Sequence, residues 1–244
     1  MPFRKLCVPA LTLVCLQLLC AGARAQTNDR AQAAAEIESL REQIKAREAV
    51  LLAPAPEDYE AHAAFLSQPE TGLLRLLPRE KWNSKLSTRG DGAFYSFARK
   101  THEYGYGTDI GLEGDKLQVG FAGANFGFVA NLGDIPLASV TTESEGVKYL
   151  AAFDTPAGEP EAREQQRRTR AGFEVDGHRY TNRLPAAANN TYIMRSVDYQ
   201  NSDTLVAFRV LRKDADGSVV LLWKVLKKFP KPKLEMHAAA AAGQ

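Results

Sequence analysis

The chain has 244 residues, of which 31 are Lys or Arg and 29 are Asp or Glu, so its charge is nearly balanced. Residues 1–25 hold three basic and no acidic residues, and without them the counts become 28 and 29. This balance excludes the basic surplus typical of a nucleic-acid-binding protein. All three cysteines, Cys7, Cys15 and Cys20, also lie in residues 1–25, so the rest of the chain has no disulfide, thiol ligand or thiol nucleophile.

Residues 1–25 have the three parts of a secretory signal peptide. Arg4 and Lys5 form a basic start, an apolar stretch runs from Leu11 to Leu19, and small residues precede a cleavage site after Ala25. The apolar stretch is shorter than the roughly 20 residues that a membrane-spanning helix needs. We therefore expect export to the periplasm or the extracellular space after cleavage near Ala25, with an uncleaved membrane anchor as the alternative.

Residues 26–56 are predicted to form an amphipathic helix that ends in a Pro-rich linker. From Asp29 to Leu52 the chain has no Gly or Pro, and its apolar residues recur at steps of three and four. The residues of this stripe are Ala33, Ile37, Leu40, Ile44 and Leu51. The stripe is compatible with docking onto the chain's own domain, with solvent exposure, and with a short coiled coil. A monomer and a helix-mediated homo-oligomer therefore both remain open.

Residues 57–84 are predicted to form short helices that pack on a sheet. The two helices are expected from Glu57 to Leu66 and from Thr71 to Leu77. Beyond them, aromatic and β-branched residues alternate with polar ones, and turn residues recur at short intervals. Residues 85–230 are therefore predicted to form one antiparallel β-rich domain. Residues 231–244 are low in complexity and are predicted to be a disordered tail.

Glycine-containing turns divide the first half of this domain into short strands. A three-stranded meander is predicted from Thr108 to Leu112, Leu117 to Phe121 and Phe126 to Ala130. A further strand is predicted from Gly146 to Asp154. Asp176-Gly177 is a strong signal for the turn of a hairpin.

The clearest predicted element is a hairpin of two long strands. They run from Asp203 to Lys213 and from Ser218 to Phe229, and the short loop between them ends at Gly217. Both strands are apolar at nearly every position, which is typical of strands buried on both faces. We expect this hairpin at the centre of a sheet, with N-terminal helices covering one face. The predicted fold class is mainly β, α+β overall: an antiparallel β-sandwich or a curved sheet or half-open barrel with an N-terminal helical segment.

The Gly-rich stretch from His102 to Asp134 does not fit a phosphate-binding loop, because its glycine spacing differs and a strand follows it. Its first residues hold the densest group of acid–base side chains, His102, Glu103 and Asp109. A hydrolase acting on an envelope polymer would use His102 as general base and Glu103 or Asp109 to orient it. No HxH, HExxH or GxSxG pattern occurs. We therefore expect no metal site and no cofactor, and we favour a protein that is not an enzyme.

Tyr104 and Tyr106 are separated by Gly105, so in an extended chain both side chains point the same way. The glycine lets a ligand or another backbone come close. With Tyr95 and Trp82 nearby in the sequence, these tyrosines predict an aromatic ligand-binding face. The alternative is packing at the edge of the core with the hydroxyls hydrogen-bonded.

These patterns favour a non-catalytic binding or structural module of the cell envelope or extracellular space. Its partner would be a small ligand, a polymer or an envelope protein. The lysines between Lys224 and Lys233 are typical of residues that prevent a strand edge from pairing with another chain. The alternative is peripheral contact with an anionic envelope surface.

Overall fold

The computed structural model describes residues 8–87, 89–121 and 123–235, with side chains from residue 29 onward. The chain divides into two compact units, Met1–Leu51 and Leu52–Gln244. The basic start of the predicted signal peptide and most of the predicted tail, from residue 236, lie outside the described residues.

The first unit consists largely of one long helix, α1 (Val8–Leu52). It contains the predicted amphipathic segment, which is rich in the strong helix formers Ala, Glu, Arg and Leu. Proline at position 54 cannot continue the helix. Within the part of the chain that the structure describes, no helix combines the length and the apolar character that crossing a membrane requires.

The second unit begins with two short helices, α2 (Pro56–Ala61) and α3 (Ala63–Leu66). Two further helices, α4 (Lys148–Ala152) and α5 (Glu159–Ala171), lie between its fifth and sixth strands. The strands, in chain order, are β1 (Thr71–Leu76), β2 (Phe94–Tyr95), β3 (Ile110–Glu113), β4 (Lys116–Gln118), β5 (Phe126–Gly133), β6 (Phe173–Val175), β7 (His178–Tyr180), β8 (Arg183–Pro185), β9 (Thr191–Asp198), β10 (Ser202–Lys213) and β11 (Val219–Lys228).

The strands form a five-stranded sheet of order β1-β11-β10-β9-β5, a four-stranded sheet of order β2-β3-β4-β8, and the small β6-β7 hairpin. Neighbouring strands pair antiparallel in each of them. The predicted fold class, antiparallel and β-rich with an N-terminal helix, is therefore confirmed. The long hairpin is also confirmed, since β10 and β11 pair and β10 lies at the centre of the larger sheet.

Two hydrophobic clusters lie on opposite faces of the five-stranded sheet, because successive side chains of a strand point to opposite faces. On β10, Val206 and Phe208 belong to the first cluster, whereas Leu205 and Ala207 belong to the second. The four-stranded sheet covers the first cluster, so the two sheets pack as a sandwich. Residues of α4, α5 and the β6-β7 hairpin cover the second cluster, and α3 adds to that cover.

The helix predicted from Thr71 to Leu77 is wrong, because these residues form edge strand β1, which pairs with β11. A short apolar run does not by itself distinguish a buried strand from a helix. Leu74 and Leu76, two residues apart, both join the first cluster. A Cβ at Gly72 would overlap the indole of Trp223, so the glycine allows the two strands to approach.

The strand predicted from Gly146 to Asp154 is also wrong, since its central residues form helix α4. Val147 and Leu150 are fully buried in the second cluster at a helical spacing of three. In a segment this short, the sequence does not distinguish the spacing of a helix from the alternation of a strand.

The predicted meander is correct for its first two strands and wrong for its third. β3 and β4 pair, but β5 lies in the other sheet and pairs with β9. Gly120 and Gly123 have φ of +77° and +58°, values that favour glycine. A Cβ at Gly120 would also crowd the backbone of Phe126. The chain therefore uses glycine to cross from one layer of the sandwich to the other.

The beginning of the predicted disordered tail is held in place. The Gln200 amide donates to the Pro232 carbonyl at 2.9 Å, and the Glu235 amide donates to the Ala157 carbonyl at 2.7 Å. The prediction is therefore wrong for residues 231–235.

Candidate functional site

His102 is bound to the backbone of the neighbouring sheet. Its Nε2 lies 2.8 Å from the carbonyl oxygen of Arg75, so this nitrogen donates, and its ring contacts Tyr95 edge-on at 5.0 Å. Burial lowers the pKa of His102, while the hydrogen bond to the carbonyl acts in the opposite direction. The partner of this nitrogen is a carbonyl rather than a carboxylate, which is the arrangement of a structural histidine.

Glu103 and Asp109 do not converge on His102. Glu103 faces Arg99 at 3.8 Å in a partly exposed ion pair. Asp109 is fully buried, and its carboxylate accepts hydrogen bonds from the amides of Phe97 at 2.7 Å and Ala98 at 3.4 Å. Asp109 thus ties the turn after β2 to the start of β3. The three predicted acid–base residues have three separate structural roles.

The pKa of Asp109 is raised to about 6, chiefly because burial disfavours the charged carboxylate. The Ser196 hydroxyl and the backbone amides favour the charged form, and the nearby negative charge of Asp198 opposes it. Two carboxyl groups from the two packed sheets therefore lie close together in the sandwich.

Asp198, at the end of β9, holds the segment from His102 to Asp109 in place. Its buried carboxylate accepts a hydrogen bond from the Gly107 amide and another, at 2.8 Å, from the side chain of Asn201. The sequence analysis missed Asp198. Its strand, β9, also carries Thr191, Arg195 and Ser196, so no apolar pattern singled out Asp198.

An aromatic cluster lies on the outer side of this segment, formed by Trp82, Phe94, Tyr104 and Phe121. The Tyr104 ring lies 5.1 Å from Trp82 and 4.7 Å from Phe94, and Phe94 lies 5.4 Å from Phe121. The Trp82 indole donates to the Ser87 carbonyl at 2.9 Å, which fixes its ring. Tyr104 keeps 38% of its surface exposed, so the cluster presents a ring to solvent.

The structure brings together only two of the four predicted ligand-binding aromatics. Trp82 and Tyr104 are in contact, as expected. Tyr95 is buried in the first hydrophobic cluster against Phe97. Tyr106 is 74% exposed and has no ring contact among the described residues. The Tyr104 and Tyr106 rings, on either side of Gly105, therefore do not form one aromatic face.

A second polar centre, which the sequence analysis also missed, surrounds Arg195 on the other face of the five-stranded sheet. Its guanidinium binds Asp203 through two hydrogen bonds of 2.8 Å. The same group donates to the carbonyls of Leu150 and Phe153 and to the Thr155 hydroxyl. All five donors of a guanidinium are thus used. Arg195 caps the carbonyls that α4 leaves unpaired at its end.

A cavity of about 650 Å³ lies beside this centre. Its lining includes the exposed or half-buried Lys227, Phe229 and Lys231 and the buried Arg195 and Asp203. The Arg195 guanidinium stacks on the Phe229 ring at 3.6 Å. Since all five donors of Arg195 are used within the protein, this guanidinium offers no spare donor to a ligand in the cavity.

The described residues contain no group of three or more His, Cys, Asp or Glu side chains placed to hold a metal ion. Comparisons of this chain with models of protein families, with curated proteins and with solved structures find no match.

Proposed function

We propose that this protein is an exported, non-catalytic binding module that holds its ligand on the aromatic cluster around Tyr104. One observation supports this proposal above the others. Tyr104 presents a partly exposed ring, supported by Trp82 and Phe94, on a segment that Asp198 anchors at Gly107. A ring fixed in this way loses little conformational freedom when it binds a ligand.

The acid–base residues argue in the same direction. His102, Glu103 and Asp109 are engaged with a carbonyl, an arginine and backbone amides respectively. A hydrolase of the predicted kind needs a carboxylate to orient the His102 ring, and the Arg75 carbonyl takes that place. These contacts favour the binding module over the hydrolase alternative.

The ligand class that suits this surface has flat, weakly polar faces. Aromatic side chains offer a large apolar area and a definite geometry, with polar atoms at their edges. Sugar rings of an envelope or extracellular polysaccharide have such faces, with hydroxyls around them. We infer a carbohydrate polymer as the preferred ligand.

Calorimetric titration with soluble peptidoglycan fragments, chito-oligosaccharides and gluco-oligosaccharides tests this proposal. We expect at least one probe to bind and Tyr104→Ala to weaken its binding about tenfold, which corresponds to about 1.4 kcal/mol. Tyr59→Ala is the matched control, because Tyr59 is 43% exposed but lies on α2, outside the aromatic cluster. Equal binding by the Tyr104 and Tyr59 variants, or no binding of any probe, would refute the proposal.

Export rests on residues 1–25 and is tested separately. The chain, produced in a bacterial host with an active secretion pathway, is recovered from the periplasm or medium and its intact mass is measured. We expect the protein to begin at Gln26. Retention in the cell with the full-length mass would contradict both cleavage and export.

A further inference from the structure

The stripe along α1 has the spacing of a coiled-coil seam. Ala33, Ile37, Leu40, Ile44, Arg47 and Leu51 follow one another at alternating steps of four and three. In heptad terms Ile37, Ile44 and Leu51 occupy a positions, and the others occupy d positions. The apolar side chains are exposed on the helix, with Ile37 at 49%, Leu40 at 50% and Ile44 at 57%.

We propose that α1 pairs in parallel and in register with α1 of a second copy of this chain over residues 33–51. The core residues favour this occupant. β-branched Ile at a with Leu at d favours two-stranded parallel coiled coils. Ile37, Leu40 and Ile44 provide this combination at three consecutive core positions.

The charges beside the seam favour the parallel arrangement. Glu36 occupies a g position and Arg41 the following e position. In a parallel pair, g of one helix faces the next e of the other, so Glu36 meets Arg41 of the partner subunit. An antiparallel pair brings g to g and e to e, and it would lose this attraction.

The intrahelical pair of Arg41 does not prevent this contact. Arg41 lies 3.2 Å from Glu38 of the same helix, and both side chains are largely exposed. Exposed pairs of this kind contribute little stability. The Arg41 guanidinium has further donors with which to reach a second carboxylate.

Arg47 limits the strength of the pairing. It occupies a d position, where a charged side chain lowers stability but helps to define the register. With roughly three heptads in the seam, the association should be weak and dependent on concentration. Replacing Arg47 with an apolar residue should therefore strengthen it.

Sedimentation equilibrium of the chain from Gln26 to Gln244, over a wide range of concentration, measures the association without any ligand. We expect a monomer–dimer equilibrium, loss of the dimer in Ile44→Glu, and at least tenfold tighter association in Arg47→Leu. Glu42→Lys is the matched control, because it lies at the outer f position and should not change the mass. Circular dichroism checks that each variant is folded. Monomeric behaviour of both the unchanged chain and Arg47→Leu would overturn the proposal.

Cysteine cross-linking tests the orientation. The chain from Gln26 contains no cysteine, so a single substitution gives an unambiguous product. In a glutathione redox buffer, Ile37→Cys should form a disulfide-linked dimer, because parallel helices in register bring their a positions together. Glu42→Cys should not. A dimer by mass that fails to cross-link through Ile37→Cys would overturn the parallel register.

Discussion

Arg195 and Asp203 on one face of the five-stranded sheet, and Asp109 and Asp198 on the other, are two buried charged groups with opposite electrostatics. The first joins unlike charges through two hydrogen bonds, and every guanidinium donor is used. In the second, burial chiefly, with a smaller contribution from the negative charge of Asp198, raises the pKa of Asp109 to about 6. A buried ion pair offsets its desolvation through its own hydrogen bonds, whereas a buried carboxyl without a cation responds to pH.

The two groups also hold different kinds of structure. Arg195 joins the end of α4 to the sheet, so it holds the layer that covers the second hydrophobic cluster. Asp109 and Asp198 hold backbone amides of the segment that carries Tyr104. The predictions below separate these roles, beginning with the largest expected effect.

Arg195→Ala should lower the free energy of unfolding by about 3–5 kcal/mol, because it leaves the buried carboxylate of Asp203 without its partner. Urea unfolding measures this loss. Arg163→Ala is the control, since its ion pair with Glu159 is about half exposed and should be worth less than about 1 kcal/mol. Similar losses in both variants would contradict the structural role of Arg195.

Asp109→Asn should remove a pH-dependent part of the stability. The folded-state pKa of about 6 exceeds the reference value of 3.8. The contribution of Asp109 to the free energy of unfolding is therefore fully present below about pH 3.8. This contribution is lost as the pH rises through 6, and it amounts to about 3 kcal/mol. Relative to Asp109→Asn, the unchanged protein should become less stable between pH 4 and 6. Urea unfolding across this range measures the difference, and parallel pH profiles would contradict the burial argument.

Asp198→Ala should cost about 2 kcal/mol, because a charged acceptor of the Gly107 amide is lost. The pKa of Asp109 should fall, since a neighbouring negative charge is removed. Hydrogen exchange should become faster at Gly107, while the Val129 amide, which donates to the Thr181 carbonyl at 2.7 Å, serves as the internal reference. Unchanged exchange at Gly107 would show that Asp198 does not anchor this segment.

His102→Phe should have the smallest effect, about 1 kcal/mol, since it keeps a ring against Tyr95 and loses the hydrogen bond to the Arg75 carbonyl. The folded-state pKa of His102 lies below 6.5, so its contribution is full above pH 6.5 and is lost as the pH falls. This direction is opposite to that of Asp109. As the pH falls below 6.5, the stability of the phenylalanine variant should therefore decrease less than that of the unchanged protein. Thermal unfolding at several pH values measures the difference.

Local patterns were sufficient where neighbouring residues in the chain also become neighbours in space. The β10-β11 hairpin was predictable because its strands are long and one short loop joins them. The third strand of the meander was not, because β5 leaves its chain neighbour for β9. β1 and α4 were assigned wrongly because their few residues have no unambiguous periodicity.

The candidate site shows the same limit. Trp82 and Tyr104 were expected together, and they are in contact. Tyr95, next to Phe94 in the chain, points into the core instead, because alternate side chains of a strand face opposite ways. Asp198 was missed because its partner, Gly107, lies far away in the sequence.

By itself, the sequence determined the antiparallel β-rich class, the long central hairpin and the helical composition of the segment before Pro54. These features depend on alternation, turn residues and helix propensity, which act over a few residues. Only the tertiary structure decided which strands share a sheet and which charged side chains are buried together. It also decided that His102 donates to a carbonyl while Tyr104 remains exposed. Those outcomes depend on contacts between distant segments, for which local composition has no signature.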